Sequence, residues 1–275
     1  MIVFPNAKIN LGLNIISKRD DGYHNINTIF LPLKKVVDIL EVIHLQEDEQ
    51  QDRLTISGFE IPGKSDENFC LKALNIMRNY AKIPPLNIFL HKIIPFGAGL
   101  GGGSADAAFM LKLLNEMFEV NFTDEKLEII ASSIGADCAF FIKNKITFAE
   151  ETGNIFSPVN INIPKFWLEL VVPPIEVSTV FAYQNIKPCK PNSDLKKAIS
   201  LPVEMWRNLI TNDFEAPVFK QFPVLKRIKD TLYKNGAIYA SMSGSGSAVY
   251  GLFNNEPKIN WDKSFFVHSD YLEFS

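Results

Sequence analysis

Residues 95–108 read Pro-Phe-Gly-Ala-Gly-Leu-Gly-Gly-Gly-Ser-Ala-Asp-Ala-Ala. Five glycines fall between Gly97 and Gly103, and a strongly apolar stretch from Ser104 to Phe118 follows at once. Glycine lets a backbone turn its N–H groups inward and approach a ligand without a Cβ clash. A helix beginning there adds unpaired N–H groups and a partial positive charge. Together they form an anion site suited to phosphate. Ser104 adds a hydroxyl for a phosphate or a bound Mg²⁺. The predicted helix is apolar nearly all round, which calls for burial.

The loop can be tested against known phosphate motifs. A Walker A loop requires lysine where Gly103 stands. Gly97, Gly99 and Gly102 do spell the dinucleotide fingerprint G-x-G-x-x-G. That fingerprint follows directly on a strand and has an acid ~20 residues further on. Here Pro95 and Phe96 intervene, and Glu116 lies inside the predicted helix. A turn without any ligand would carry the entropic cost of five glycines with no return.

Outward from the loop, Leu86 to Ile94 alternates as a strand. Asp66-Glu67-Asn68 opens a helix to about Tyr80, with Asp66 as N-cap, and Pro84-Pro85 breaks the chain after it. Near the N-terminus, Ile9, Leu11, Leu13 and Ile15 alternate with Asn10, Gly12 and Asn14, the period of a strand. Ile26 to Val42 supplies one or two more strands and Leu54 to Phe59 another, with Gln46 to Arg53 a solvated turn. Thr123-Asp124-Glu125 caps a helix ending near Ile134-Gly135. The turn-rich run Gly153 to Pro164 marks a boundary, giving expected domains 1–155 and 156–275. Trp167 to Val172 reads as a strand, and Pro188 to Asp194 as a loop. Helices fall around Glu204–Ile210 and Val224–Lys234, the latter closed by Asn235-Gly236. Strands Ile238–Met242 and Ala248–Phe253 flank Ser243-Gly-Ser-Gly-Ser247. The mixture lacks a regular βαβα order, so the expected class is α+β.

Bulk properties exclude several classes. The net charge of −3 gives no basic field for nucleic acid. Cys70, Cys138 and Cys189 form no CxxC pair, which argues against a disulfide framework or zinc site and fits a reducing cytoplasm. The four histidines show no metal-ligand spacing. No signal-peptide pattern is seen, and no apolar run approaches the ~20 residues of a membrane span. No long exposed heptad is present, so a monomer or weak homodimer is expected.

Three motifs in order carry a resemblance. They are Ala7-Lys-Ile-Asn-Leu11, the loop at 95–108, and Met242-Ser-Gly-Ser-Gly-Ser-Ala-Val-Tyr250. The sequence resembles the GHMP kinase superfamily across residues 5–253. Asp21-Gly-Tyr-His24 and Gly135-Ala-Asp137 before Phe140-Phe141 sharpen the likeness to members acting on a cytidyl-diphosphate substrate. The resemblance implies a two-domain α+β fold with its active site in the interdomain cleft. It implies transfer of the ATP γ-phosphoryl, with Mg²⁺, to the 2-hydroxyl of a methylerythritol moiety in isoprenoid precursor synthesis. It further implies that the third motif is a loop that closes on the phosphate loop. Asn6, Cys138-Ala139 and Ser247 depart from the family pattern without removing a charged group.

The resemblance also assigns roles. Asp137, which on its own also reads as a helix cap, becomes the general base. Lys8 becomes its partner in polarising the acceptor hydroxyl, an Asp–Lys pair being a sufficient outfit beside a phosphate loop. ATP falls to Pro95, Phe96, Gly97, Ala98, Gly99, Leu100, Gly101, Gly102, Gly103 and Ser104, with Lys92 reaching a phosphate and Asn68 the adenine pocket. Substrate falls to Asn10, Tyr23, His24, Asp106, Thr179 and Tyr183. In this scheme Tyr23 and His24 hold the cytosine, and Tyr183, or else Phe181, closes a sandwich. Asp106 is placed in the first helical turn, where a carboxylate also suits the dipole. Asp213 receives no role. Competing readings are a homoserine- or mevalonate-type kinase, a nucleotide-binding sensor without turnover, and a nicotinamide oxidoreductase.

Overall fold

The computed structural model describes residues 1–45, 50–63, 67–159, 165–189, 191 and 193–272. The expected class holds: helices and mostly antiparallel sheets mix without βαβα alternation. In chain order the first elements are β1 (Ile2–Val3), β2 (Asn6–Lys18), β3 (His24–Val37), β4 (Ile39–His44), β5 (Arg53–Gly58), α1 (Phe69–Met77) and β6 (Leu86–Lys92). Then follow α2 (Gly102–Met117), α3 (Asp124–Ser132), α4 (Phe140–Lys143), β7 (Thr147–Glu150), β8 (Ile155–Ser157) and β9 (Phe166–Val172). The chain continues through α5 (Thr179–Gln184), α6 (Leu195–Ala198), α7 (Val203–Leu209), α8 (Glu215–Gln221) and α9 (Pro223–Lys234). It ends with β10 (Tyr239–Met242), β11 (Val249–Phe253) and β12 (Phe266–Leu272).

Packing divides the chain into two compact units that interleave along the sequence. The first comprises Met1–Lys8, Pro32–Phe96 and Gly101–Lys145; the second comprises Ile9–Leu31, Gly97–Leu100 and Ile146–Ser275. The sequence boundary at 155/156 is a single cut, and the two divisions rest on different grounds.

In the first unit the sheet order is β1-β4-β6-β5, with only β5 and β6 parallel. Helices α1 and α2 pack together and bury Cys70, Leu74, Met77, Met110, Leu111 and Leu114. Asp66, the expected cap of α1, lies outside the described residues. Asn68 is the cap, accepting from the Cys70 N–H at 2.9 Å. Helix α2 begins at Gly102, two residues before the expected Ser104, because Gly101 takes the left-handed conformation (φ 71°) that starts it. Thr123 caps α3 as expected.

The second unit holds two sheets, β2-β3-β7-β8 and β10-β11-β9-β12. Leu13, Ile15, Val171, Phe214, Leu225, Leu232 and Val249 share its core. Residues 5–15 are buried on both faces, so the alternation at the start of β2 does not mark a solvated side. Its polar members find internal partners instead. The turn-rich run after Gly153 contains β8, and its last residues, 160–164, lie outside the described set, as do 46–49 of the polar run and 190 and 192 of the Pro188–Asp194 loop. Helices α5, α6 and α8 are too short to show a period. Strand β12 escapes a sequence reading for another reason: Val267, Ser269 and Tyr271 face out while His268 and Asp270 are the more covered positions.

Gly99 (φ 73°) meets the second-unit loop after β10 so closely that a Cβ would lie 2.1 Å from the Ser243 carbonyl oxygen. Gly99→Ala is therefore expected to cost about 1–3 kcal/mol from backbone conformation alone, with the clash added. Urea denaturation of the variant beside the unmodified chain measures this.

Candidate active site

The first unit brings Lys8 and Asp137 together. Lys8 Nζ lies 3.2 Å from Asp137 Oδ2, with the lysine side chain 3% exposed and the aspartate 31%. A lysine buried to that degree is found paired, and this one is. Asp137 caps no helix, since Ala139 stands at the N-cap of α4; its carboxylate sits in the turn between α3 and α4. The apolar wall behind it is Phe140 and Phe141, packed edge to face at 4.9 Å. The pair lies beside the start of α2: a Cβ on Gly101 would come within 3.0 Å of the Phe141 ring and 3.2 Å of Lys8 Cε. A carboxylate able to take a proton, an ammonium and a row of unpaired helix N–H groups thus adjoin one another. Cys138, next to the aspartate, is pushed up to about 12 by burial, despite a bond from Ser104, so its thiol is inert.

A second charged cluster lies under the same helix start. Lys92 is buried and ion-paired with both Asp38 and Asp106, at 2.5 Å for the latter. Asp38 is wholly buried, and its other oxygen accepts the N–H groups of Ile93 and Ile94 at 2.6 and 2.9 Å. Burial pulls the Lys92 ammonium down, but the Asp106 and Asp38 carboxylates outweigh it and hold it above its ordinary value. Burial pushes the Asp106 carboxyl up; the Lys92 charge opposes this and Asp38 adds to it. Asp106 Oδ1 has no hydrogen-bond partner. Two expectations are corrected here. Lys92 does not stand free to reach a phosphate, because two carboxylates hold it. Asp106 is not in the first helical turn, because α2 starts earlier. A Cβ on Gly102 would still lie only 3.4 Å from Lys92 Nζ, so the cluster underlies the loop it was expected to serve. Asp38 was invisible to motif reading. Its signal was a lone charge inside the apolar run Val36 to Leu40.

The second unit holds the rest of the loop and the third motif. Gly97 and Gly99 both have positive φ, Ala98 and Leu100 are buried, and Phe96 just before them is exposed. Ser243 Oγ donates to the Gly99 carbonyl at 2.8 Å, and the Ala248 N–H donates to the Ala98 carbonyl at 3.0 Å. The loop 243–247 therefore does close on 97–100, as the resemblance implied. Glu176, which no motif flagged, lies across Gly97 with its Cγ 3.1 Å from where a Cβ would be. Asn10 is buried, its side-chain amide donates to Thr28 Oγ1 at 2.8 Å and its backbone N–H donates to Ser243 Oγ at 3.3 Å. Thr179 shares a hydrogen bond of 3.1 Å with Ser245. Asn68, in the first unit, spends its carbonyl oxygen on capping α1. Pro95 and Gly103 lie at the two edges of the loop, and Ser104 in the first turn of α2.

Tyr23 is 65% exposed, on a turn where its N–H donates to Asp21. His24 stacks on Tyr183 with ring centroids 4.9 Å apart and planes at 29°. The two rings thus meet directly. Burial, then the charge of Lys18, holds the His24 imidazole below its ordinary value, favouring the neutral ring. Phe181 instead packs edge-on against Phe222. Among the described residues no group of three or more His, Cys, Asp or Glu is placed to hold a metal, and no helix is long and apolar enough to cross a membrane.

Comparison with known proteins agrees with this geometry. Residues 68–145 match the GHMP kinases N terminal domain and residues 194–260 the GHMP kinases C terminal domain. The chain is 56% identical over 259 residues to the 4-diphosphocytidyl-2-C-methyl-D-erythritol kinase of Bacteroides fragilis, covering 94% of each. It is 53% identical over 255 residues to that of Parabacteroides distasonis, covering 92% of each. A crystal structure of 4-(cytidine 5'-diphospho)-2C-methyl-D-erythritol kinase superposes with a TM-score of 0.78 at 29% identity, over 93% of this chain and 91% of that one. A Methanococcus jannaschii mevalonate kinase shares the fold at a TM-score of 0.64 and 17% identity, with 92% and 90% covered.

Removing the ammonium from the buried cluster leaves two carboxylates facing each other. Lys92→Met is expected to lower stability by about 3–5 kcal/mol in urea denaturation. The folded chain also keeps a proton on Asp106 that the unfolded chain has released, so stability falls as pH rises from the ordinary carboxylate range toward the raised value. Asp106→Asn is expected to flatten that slope, read from urea midpoints at roughly pH 4 to 8.

Proposed function

The chain belongs to the GHMP kinases, among their 4-diphosphocytidyl-2-C-methyl-D-erythritol kinases, and we propose how its residues perform that kinase's reaction. The reaction transfers the γ-phosphoryl of ATP to the 2-hydroxyl of 4-diphosphocytidyl-2-C-methyl-D-erythritol, a step of the non-mevalonate route to isoprenoid precursors. The observation that carries the assignment of roles is the Lys8–Asp137 pair beside the start of α2. Asp137 takes the proton of the acceptor hydroxyl as its oxygen bonds to the γ-phosphorus. The bond from that phosphorus to the β-phosphate oxygen breaks, and ADP leaves. Lys8 keeps a positive charge beside the carboxylate and the attacking oxygen. Little covalent chemistry falls to the protein in such a transfer, so positioning and charge neutralisation dominate.

The nucleotide phosphates lie on the N–H groups from Gly97 to Ser104. The start of α2 at Gly102 and its helix dipole fit that anion. Mg²⁺ bound with the nucleotide would neutralise phosphate charge, and the Ser104 hydroxyl in the first turn of α2 would be the side chain to hold it. Lys92 contributes its charge from beneath Gly102. Tyr23 offers an exposed face to the cytosine and His24 its ring edge, with Tyr183 behind His24. Asn10 and Thr179 line the acceptor side, and Asn68 the adenine side. The enzyme works in the cytoplasm, as a monomer or weak homodimer.

Coupled ADP release with 4-diphosphocytidyl-2-C-methyl-D-erythritol, ATP and Mg²⁺ tests this, run beside homoserine, mevalonate and galactose. Turnover is expected with the cytidyl acceptor only. Asp137→Asn is expected to lower kcat ~10²- to 10⁴-fold with little change in either KM. Turnover with another acceptor would sink the substrate assignment, and an active Asp137→Asn would sink the base.

A further inference from the structure

Four successive side chains, Asn212 to Glu215, all hold parts of the second unit, two of them meeting at Met242. The Asn212 amide donates to the Met242 and Gly244 carbonyls, both at 2.8 Å. Asp213 accepts the Ile15 N–H at 2.8 Å. Glu215 accepts the Met242 N–H at 2.9 Å and pairs with Lys229 at 2.6 Å. Between them Phe214 is fully buried, and its ring meets Tyr183 edge-on, with centroids 4.9 Å apart and planes at 83°. Tyr183 passes the contact on, stacking on the half-buried His24 ring. Edge-to-face and offset-stacked pairs are the two favoured aromatic geometries, so both contacts resist tilting.

The base of this chain of rings is rigid. The Phe214 N–H donates to Asn212 Oδ1 at 3.0 Å, and the Asp213 N–H donates to the Leu13 carbonyl at 2.9 Å. The far end is not: among the described residues no hydrogen bond holds the His24 imidazole, and its neighbour Tyr23 is exposed. What orients His24 is therefore the stack.

We propose that Phe214 is a positioning residue for base recognition, acting through Tyr183 to hold the His24 ring in its working orientation. This rests on the reading that His24 recognises the cytosine edge. Phe214 itself touches no substrate. Its loss frees the Tyr183 and His24 rings, which must then be ordered each time the acceptor binds. That cost falls on the ground and transition states alike, so it enters KM and not kcat.

Steady-state kinetics and proton NMR of the full chain test it. Phe214→Leu is expected to raise KM for the cytidyl acceptor roughly three- to tenfold, the cost of ordering a freed side chain. KM for ATP and kcat should stay within about twofold. The His24 ring resonance, assigned with His24→Ala, should lose the ring-current shift of the stack. Phe214→Met, close to leucine in volume but unbranched and more adaptable, carries the same expectation if Phe214→Leu does not fold. Variants that melt earlier yet keep the acceptor KM and the His24 resonance would overturn the proposal, as would a fall in kcat or a parallel rise in KM for ATP. His24→Ala separates the two readings. If it leaves the acceptor KM unchanged, base recognition by His24 fails and the proposal with it; if it raises that KM while the Phe214 variants do not, the proposal alone fails.

Discussion

Three glycines at the entry to α2 are crowded where a Cβ atom would stand, Gly99 most of all, and much of the candidate site is arranged by that constraint. Gly99 sits against the Ser243 carbonyl, Gly101 against Phe141 and the Lys8 stem, and Gly102 against Ile94 and Lys92. Gly99 and Gly101 also have positive φ, which side-chain-bearing residues adopt only at a cost. The glycines thus do two things at once. They permit the left-handed turns that lead into α2, and they let a protein group press on the loop at each point.

Those groups are charged in the first unit and neutral in the second. Lys8 and Lys92 both approach the start of α2, and both are paired with carboxylates. The two pairings differ in consequence. Asp137 remains partly open to solvent and so is available to a substrate proton. Asp38 and Asp106 are sealed, so breaking their pair strands a buried charge instead of freeing a catalyst. Burial depth is what separates the two lysine–aspartate pairs.

In the second unit, hydrogen bonds to backbone carbonyls replace charge. Ser243 and Asn212 tie the loop after β10 to the phosphate loop and to the segment before α8. The aromatic row from Phe214 to His24 rises from that same segment. The glycine loop at 97–100 and the aromatic row therefore share one scaffold in this unit, built on the stretch 212–215.

The local grammar of the chain was enough for the glycine loop, the α+β class and the family, and the family resemblance in turn implied the pairing of Lys8 with Asp137. Glycine spacing, alternation and motif order are short-range properties, and they survive in a single sequence. Burial on both faces of β2, the short helices α5, α6 and α8, and the inverted pattern of β12 were not legible, because each depends on what packs from elsewhere in the chain. The same holds for Lys92, whose charge reads as available until Asp38, 54 residues away, is seen to claim it. Asn212 and Asp213 carried no motif at all. The sequence by itself determined the glycine spacing ahead of α2, the order of the motifs and, through them, the family. Only the tertiary structure decided which of the charged groups are exposed enough to act and which are buried counter-ions, since desolvation is a property of the packed chain.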